Sequence, residues 1–258
     1  MKIGIIGVGH LAGYLVDGLM QSETPPCIIL SPRGAENARR LSERYGLSIA
    51  TTNAEVVEQS DVVLLATRPT DLLEAISDLP WRSGQTAISV AAGVALSGLL
   101  RAVSPATAVR TLPVTAAKIA ESPTCLYPEN AVARRVFELL GSVHVFEDEQ
   151  SFDLGSMHGV VFSVFHAGIH AVAEWFEGNG LDADTARTLS TAAFRATCGM
   201  VAAHPDEDLG GMINDYATEG SLTLITLENL RTHGGLSAWS TALDASYKRC
   251  MEINQSTG

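Results

Sequence analysis

The most informative stretch of the chain reads Lys2-Ile3-Gly4-Ile5-Ile6-Gly7-Val8-Gly9-His10-Leu11-Ala12. An apolar strand runs into a glycine-rich turn, and the turn opens a helix. In such a GxGxxA sequence the first glycine permits the tight turn, the second lets a pyrophosphate approach the backbone, and the alanine lets the helix lie close to the sheet. The free amides of the first helical turn attract the same pyrophosphate. We therefore predict a dinucleotide-binding turn built from Gly7, Gly9, His10 and Leu11.

Short β-branched runs alternate with helical stretches through the first half of the chain, which indicates parallel βαβ units. The predicted strands are Lys2–Gly7, Cys27–Ser31, Asp61–Thr67, Gln85–Val90, Ala108–Thr111, Thr124–Tyr127 and Ser142–Phe146. The predicted helices are His10–Gln21, Ala35–Tyr45, Asn53–Glu58, Leu96–Val103 and Glu129–Leu140. Runs such as Val62–Leu65 are apolar on both faces, as in a parallel sheet that helices cover on both sides. The sequence thus predicts an α/β fold with an N-terminal Rossmann-type doubly wound parallel sheet.

The strand pattern stops after about Glu149. Four helical segments follow, which are Gln150–Gly178, Asp182–Ala203, Leu222–Leu230 and Leu236–Met251, and Asp182 stands where an N-cap is expected. We predict a dinucleotide-binding domain over residues 1–149 and an all-helical domain over residues 150–258. A run as apolar as Val160–Phe165 is expected inside the helical domain, between the domains, or against a second subunit.

Composition excludes several classes of protein. The 258 residues are 46% hydrophobic and 18% charged, which argues against disorder. A net charge of −12 disfavours nucleic-acid binding. No uninterrupted apolar run reaches the roughly 18–20 residues of a membrane span, and the N-terminal segment lacks a signal-peptide cleavage site. The 4 cysteines are scattered, as expected of reduced thiols. We expect a cytoplasmic protein.

The end of the second predicted strand indicates which dinucleotide binds. A site for NAD usually places an acid there to hold the ribose 2′-hydroxyl. Here the chain has no carboxylate until Glu36, and Arg33 can pair with a 2′-phosphate to which Ser31 can donate. The alternative is an exposed arginine in an ordinary turn. We predict NADPH as cofactor, with NADH as the alternative.

Two more segments lie at strand ends, where open α/β sheets bind their ligands. One follows the strand that ends near Ala66, and the other is a run of small residues that would let a cofactor lie against the backbone. The predicted cofactor contacts in these segments are Thr67, Arg68, Pro69, Ala92 and Gly93.

Five segments, taken in order, resemble pyrroline-5-carboxylate reductases over almost the whole chain. They are Gly7–Ala12, Ala66–Thr70, Ser89–Val94, Arg110–Thr115 and Thr218–Thr223. The resemblance implies a Rossmann domain joined to a helical substrate and dimerisation domain, in homodimers that can assemble further. It also implies hydride transfer from a nicotinamide cofactor to the C=N carbon of a five-membered cyclic imine.

The substrate half departs from the family pattern. The family usually has R-x-M-P-N-T-P-A where Val114 here replaces Asn, and S-P-G-G-T-T where Glu219 replaces Pro. Thr218–Thr223 opens a helix whose amides suit a substrate carboxylate, although a simple N-cap is the alternative. Glu219 either repels that carboxylate or points outward. The resemblance assigns substrate binding to Thr218, Gly220, Ser221 and Val114.

Two side chains are candidates for catalysis. Thr223 can present its hydroxyl to the ring nitrogen as that atom becomes an amine. His158 lies in the region that the resemblance turns towards the nicotinamide, and an imidazole can donate a proton there. The alternative for His158 is a polar residue at a helix start. His166 and His170 have a metal-compatible spacing, but no third ligand accompanies them, so we predict no metal site.

These patterns predict NADPH-dependent reduction of a cyclic imine, with 1-pyrroline-5-carboxylate giving proline as the first expectation. One alternative is a related reductase that acts on a different cyclic imine in secondary metabolism. The other is a non-catalytic dinucleotide-binding regulator. The altered substrate loop fits either alternative.

Overall fold

The computed structural model describes residues 1–257, and its central feature is one mixed sheet. Its strands are β1 (Lys2–Ile6), β2 (Cys27–Leu30), β3 (Ser48–Ile49), β4 (Val62–Leu65), β5 (Thr86–Ser89), β6 (Thr107–Leu112), β7 (Thr124–Tyr127) and β8 (Val143–Val145). Their order across the sheet is β3-β2-β1-β4-β5-β6-β7-β8. All neighbours pair in parallel except β6 and β7. The link between those two holds a single 3-10 helix, Thr115–Ile119, in place of a crossover helix.

The helices cover the sheet in the first half of the chain and replace it in the second. They are α1 (His10–Leu19), α2 (Ala35–Tyr45), α3 (Asn53–Glu58), α4 (Pro69–Ile76), α5 (Leu96–Ala102), α6 (Ala131–Glu138), α7 (Glu149–Gly155), α8 (His158–Gly178), α9 (Ala183–Ala203), α10 (Leu209–Tyr216), α11 (Leu222–Thr232) and α12 (Ala238–Thr257). The doubly wound sheet with a helical C-terminal part is confirmed. Asp182 caps α9 as predicted, accepting a hydrogen bond from the amide of Thr185.

Four short elements were not predicted, one of them the 3-10 helix Thr115–Ile119, and one predicted helix is divided. The sequence did not indicate β3, α4 or α10, because two residues carry no strand period and because Pro69 and Gly210-Gly211 are typical of loops. The predicted helix Gln150–Gly178 breaks between α7 and α8 at Ser156 and Met157.

Successive residues of each central strand contribute to opposite faces of the sheet. Ile3 and Ile5 join one buried cluster, whereas Ile6, Val63 and Leu65 join a second cluster on the other face. Both faces therefore exclude water, which accounts for the continuous apolar runs in these strands. This rigid sheet fixes the loops at the strand ends, where the predicted cofactor residues lie.

The chain forms two compact units. The first comprises Met1–Gly159 together with the residues from Ser246 onward, and the second comprises Val160–Ala245. The domain boundary proposed from the sequence, between residues 149 and 150, stays a prediction.

The second unit has almost no core of its own. Within residues 160–245 the buried side chains are Ala173, Ala186, Ser190 and Met212. Large apolar side chains are instead exposed along its helices, among them Trp175, Leu209, Tyr216, Leu222 and Ile225. By length and composition alone, the helical stretch Glu149–Gly178 could also cross a membrane, although α7 and α8 divide it.

Candidate active site

The glycine turn after β1 has the geometry that a dinucleotide requires. Gly7 has φ of +91°, and a Cβ there would lie 2.7 Å from the amide nitrogen of Thr67. Gly9 is the N-cap of α1 and makes no side-chain cap bond, so the first amides of the helix are left for a ligand. A Cβ on Gly9 would meet open space, with none of the described residues within 4 Å. His10 is exposed and Leu11 half-buried at this helix start.

Ser31 supports this turn from within. Its hydroxyl accepts a hydrogen bond from the amide of Gly7 at 3.2 Å, and the side chain is fully buried. The buried position gives Ser31 the role of holding the glycine turn, and it does not support the predicted bond to a 2′-phosphate. Gly34, with φ of +87°, packs against the carbonyl of Val8, where a Cβ would collide with that oxygen.

Two arginines flank the outer edge of the cleft and share one carboxylate. Arg68 Nη2 donates to Asp71 Oδ2 at 2.8 Å, and Arg33 Nη2 lies 3.4 Å from the same oxygen. The hydrogen bonds from Arg68, then that from Thr70, hold the pKa of Asp71 below its usual range, and the charge of Arg33 adds to the effect. Both guanidinium groups are mainly exposed, with side-chain exposures of 62% for Arg33 and 79% for Arg68. They form a cationic edge able to meet a phosphate.

The cleft itself has a volume of about 320 Å³. It is lined by Gly7, Val8, Gly9, Arg33, Gly34, Ala66, Thr67, Arg68 and Asp71. Thr67 Oγ1 is buried and has no hydrogen-bond partner among the described residues. Pro69 occupies the first turn of α4, where its missing amide costs nothing. The structure therefore brings together the predicted residues Gly7, Gly9, Arg33, Thr67 and Arg68.

The loop after β5 carries the other predicted cofactor contacts. Ser89 Oγ accepts a hydrogen bond from the amide of Ala91 at 3.2 Å. Ala92 is half-buried, and Gly93 adopts φ of +73°. A Cβ on Gly93 would lie 3.1 Å from Ile253 Cβ, so the end of α12 packs directly on this loop.

His158 and Val114 are held by the protein interior. The two ring nitrogens of His158 lie 3.0 Å from the carbonyl of Gly155 and 2.9 Å from that of Pro123. This geometry supports the alternative of a structural residue at a helix start, because both nitrogens face backbone. Val114 is buried, and its amide donates to Ser122 Oγ at 2.9 Å.

The predicted substrate loop belongs to the second unit and begins α11. Ser221 is the N-cap and accepts a hydrogen bond from the amide of Leu224 at 3.1 Å, which is the simple capping role. Gly220 has φ of +77°, and Thr218, Glu219 and Thr223 are exposed. A shallow cleft of about 450 Å³ on α11 includes Thr223, with Leu222, Thr226, Leu227 and Leu230.

The two histidines with metal-compatible spacing have local partners on α8. His170 lies 3.5 Å from Glu174, and His166 contacts the carbonyl of Phe162. In residues 1–257 no group of three or more His, Cys, Asp or Glu side chains could hold a metal ion. All four cysteines are free thiols, and burial raises the pKa of Cys125 to about 12.

Sequence reasoning missed several residues that shape these loops. Asp71 lies on the unpredicted helix α4, and only its spacing of three residues from Arg68 hints at the pair. Arg110 is 1% exposed and binds Glu149 and Asp153. The chain signalled Arg110 only as part of a resembling segment, since both partners are distant in sequence.

Comparisons with known proteins agree with this geometry. Residues 2–93 match the family model described as NADP oxidoreductase coenzyme F420-dependent. A pyrroline-5-carboxylate reductase of Arabidopsis thaliana is 26% identical over 99% of this chain and 96% of its own length.

Solved structures match along both units. The 1-pyrroline-5-carboxylate reductase of Streptococcus pyogenes has a TM-score of 0.87 at 26% identity and covers 98% of each chain. The Plasmodium falciparum pyrroline carboxylate reductase, solved with NADP bound, also has a TM-score of 0.87, at 17% identity and 98% coverage of each chain. At that identity the second likeness bears on the fold alone.

Proposed function

We propose that the chain is a divergent member of the pyrroline-5-carboxylate reductase family and that it reduces a cyclic imine with NADPH. It is an oxidoreductase that acts on C=N bonds and uses a nicotinamide dinucleotide. The substrate that we propose first is 1-pyrroline-5-carboxylate, with proline as the product. The geometry around Gly7 carries the proposal, since a backbone without Cβ atoms faces free helix amides and two arginines.

The residues present fit such a cofactor. The amides at the start of α1 and the bare backbone of Gly7 and Gly9 suit a pyrophosphate. The cationic edge of Arg33 and Arg68 suits a 2′-phosphate. The buried Thr67 hydroxyl, to which residues 1–257 provide no hydrogen-bond partner, offers a further polar contact. When bound, the cofactor supplies the hydride that reduces the imine carbon.

The protein's own contribution is mainly positioning. In this proposal the helix start at Ser221 offers amides to a substrate carboxylate. The exposed Thr223, in the first turn of α11, offers its hydroxyl to the ring nitrogen as that atom becomes an amine. Thr218 and Gly220 shape the same loop. Val114 contributes an apolar side chain where the family has an amide, which removes a polar contact from the substrate side.

The test is NADPH oxidation with a panel of five- and six-membered cyclic imines, run beside NADPH binding followed by fluorescence. We expect turnover with 1-pyrroline-5-carboxylate. NADPH binding without turnover of any imine would contradict the proposal and favour the regulator. Turnover that occurs only with NADH would contradict the cofactor assignment.

Glu219 favours a second candidate, a reductase of a different cyclic imine. This exposed carboxylate lies two residues before the helix start that would hold a substrate acid. A negative charge there disfavours a carboxylate and suits a substrate that carries an amine or no acid. A higher specificity constant for such an imine than for 1-pyrroline-5-carboxylate would select this candidate.

We also propose that the protein is a homodimer, able to assemble further, in the cytoplasm. The second unit exposes many large apolar side chains along its helices, which have few buried residues of their own, and exposed apolar surface of this kind is typical of an interface. A second copy would cover this surface. Sedimentation equilibrium at micromolar concentration should show no appreciable 27.3 kDa species, and a stable, active monomer would contradict the dimer. Four free thiols suit a reducing compartment.

A further inference from the structure

The loop between β5 and α5 is held from both ends by residues far away in the sequence. At one end, Gly93 packs on α12, where its missing Cβ would lie 3.1 Å from both the carbonyl of Cys250 and Ile253 Cβ. At the other end, the amide of Leu96 donates to Glu149 Oε1 at 2.7 Å. The N-cap residue of α5, Ala95, makes no side-chain cap bond, so Glu149 supplies that cap from α7.

The residues that hold the two ends of the loop are both linked to Arg110. Its Nη1 donates to Glu149 Oε1 at 2.6 Å, and its Nη2 donates to Asp153 Oδ1 at 2.7 Å. The other oxygen of Asp153 accepts a hydrogen bond from Asn254 Nδ2 at 2.6 Å. Asn254 follows the residue that packs on Gly93. The contacts therefore close a circuit, which we call the Arg110 ring: Arg110, Glu149, Asp153, Asn254 and the loop of residues 91–96.

Most of the Arg110 ring is shielded from water, and this restricts the movement of its charged groups. Arg110 and Asp153 are 1% and 2% exposed, and the Arg110 guanidinium carbon lies 4.6 Å from the centre of the Phe152 ring. Moving one partner would leave a buried charge without its counterpart, which is strongly unfavourable. The φ of +73° at Gly93 disfavours any other residue there, and a Cβ would crowd α12 at 3.1 Å, so the loop and α12 fit closely only with glycine.

We infer that Asn254 and Glu149 are positioning residues for the cofactor: through the Arg110 ring they fix the backbone of the loop that carries Ala92 and Gly93. The inference rests on the proposed function, because that loop is a proposed cofactor contact. In this inference the end of α12 packs on the β5–α5 loop and holds its backbone in place. Neither residue lines the cleft around Gly7 and Gly9.

The test uses three ring variants of the full-length protein. Asn254→Leu removes the amide and leaves Asp153 Oδ2 without its partner, whereas Asn254→Gln keeps an amide donor. Glu149→Gln keeps an oxygen for the amide of Leu96 but removes the charge that faces Arg110. The matched control is Glu252→Gln, which breaks an exposed pair with Arg249 (2.8 Å) in the same turn of α12.

NADPH binding by fluorescence, steady-state rates with the best imine, and Tm are measured for each variant. We expect Asn254→Leu and Glu149→Gln to raise the Kd and KM for NADPH about tenfold, the effect of one lost charge-assisted hydrogen bond, with kcat at saturating NADPH within about twofold. Asn254→Gln should recover most of the affinity, and Glu252→Gln should match the wild type.

A lower Tm with unchanged NADPH affinity in both Asn254→Leu and Glu149→Gln would overturn the inference, because the ring would then be structural alone. If Asn254→Leu does not fold, Glu149→Gln decides by the same criterion. A wild-type protein that binds no NADPH would overturn the proposed function, and the inference with it. If the wild type binds NADPH and the variants bind it with the same affinity, the inference is overturned while the proposed function stands.

Discussion

Removing the Arg33 guanidinium should weaken NADPH much more than NADH. In Arg33→Ala the cationic edge keeps only Arg68, so a 2′-phosphate loses one charged donor. A hydrogen bond between charged groups contributes about 1.5–3 kcal/mol when well shielded. The Arg33 side chain is 62% exposed, and water screens such contacts, so we expect about 1 kcal/mol. That corresponds to roughly a fivefold rise in the KM for NADPH.

The assay is initial rate against cofactor concentration, with NADPH and NADH, at one fixed imine concentration. NADH lacks the 2′-phosphate, so its KM should stay within about twofold. Arg39→Ala is the matched control, because Arg39 is an exposed arginine of α2 outside the cleft lining. Equal rises in KM for both cofactors, or no rise for either, would refute the assignment of Arg33.

Asp71 makes the converse change available. Asp71 is an ionised carboxylate at neutral pH, and the hydrogen bonds from Arg68 hold its pKa lower still, so it competes with a phosphate for both arginines. Asp71→Asn removes this competitor, so the KM for NADPH should fall while that for NADH changes little. A rise in the KM for NADPH would mean that Asp71 orients the arginines more than it competes with them.

Three further predictions concern single residues. Gly7→Ala should abolish fluorescence-detected binding of both cofactors, because φ is +91° and the new Cβ would lie 2.7 Å from the Thr67 amide; Gly46→Ala, at φ of +68° with open space, should lower Tm and leave binding intact. With a pKa near 12, Cys125 should resist iodoacetamide at pH 8 while the exposed Cys27 reacts, and equal labelling by mass spectrometry would contradict the burial. Glu219→Pro should raise the specificity constant for 1-pyrroline-5-carboxylate relative to an uncharged imine, and an unchanged ratio would show that the carboxylate points away from the ligand.

The cofactor half could be predicted because its signals are local. The turn at Gly7 and Gly9 combines a strand, two glycines and a helix start within a few residues, and each signal has a direct backbone meaning. The Asp182 cap is likewise set within three residues of α9. Such features depend little on the rest of the fold.

The remaining features depend on contacts between residues far apart in the sequence, which no local pattern indicates. Ser31 and His158 have the residue types of ligand-binding side chains, but packing turns both of them to backbone groups. Asp153 and Asn254 are 101 residues apart, so no periodicity could indicate their hydrogen bond. The exposed helices of the second unit follow the predicted helical pattern, but the period alone cannot tell whether a chain buries such a face within itself or against another copy.

The first unit is made of two separate segments of the chain, and this bears on the order in which the protein folds. The ribosome makes the sheet strands early, whereas the segment from Ser246 onward is made after the whole helical unit. Until that segment emerges, Gly93 lacks its cover and one oxygen of Asp153 lacks its amide. Closing so long a loop is a slow, entropically costly step, which belongs at the end of folding. A nascent chain that stops before Ser246 therefore leaves the β5–α5 loop uncovered, and incompletely covered folding intermediates of this kind are substrates for chaperones and proteases.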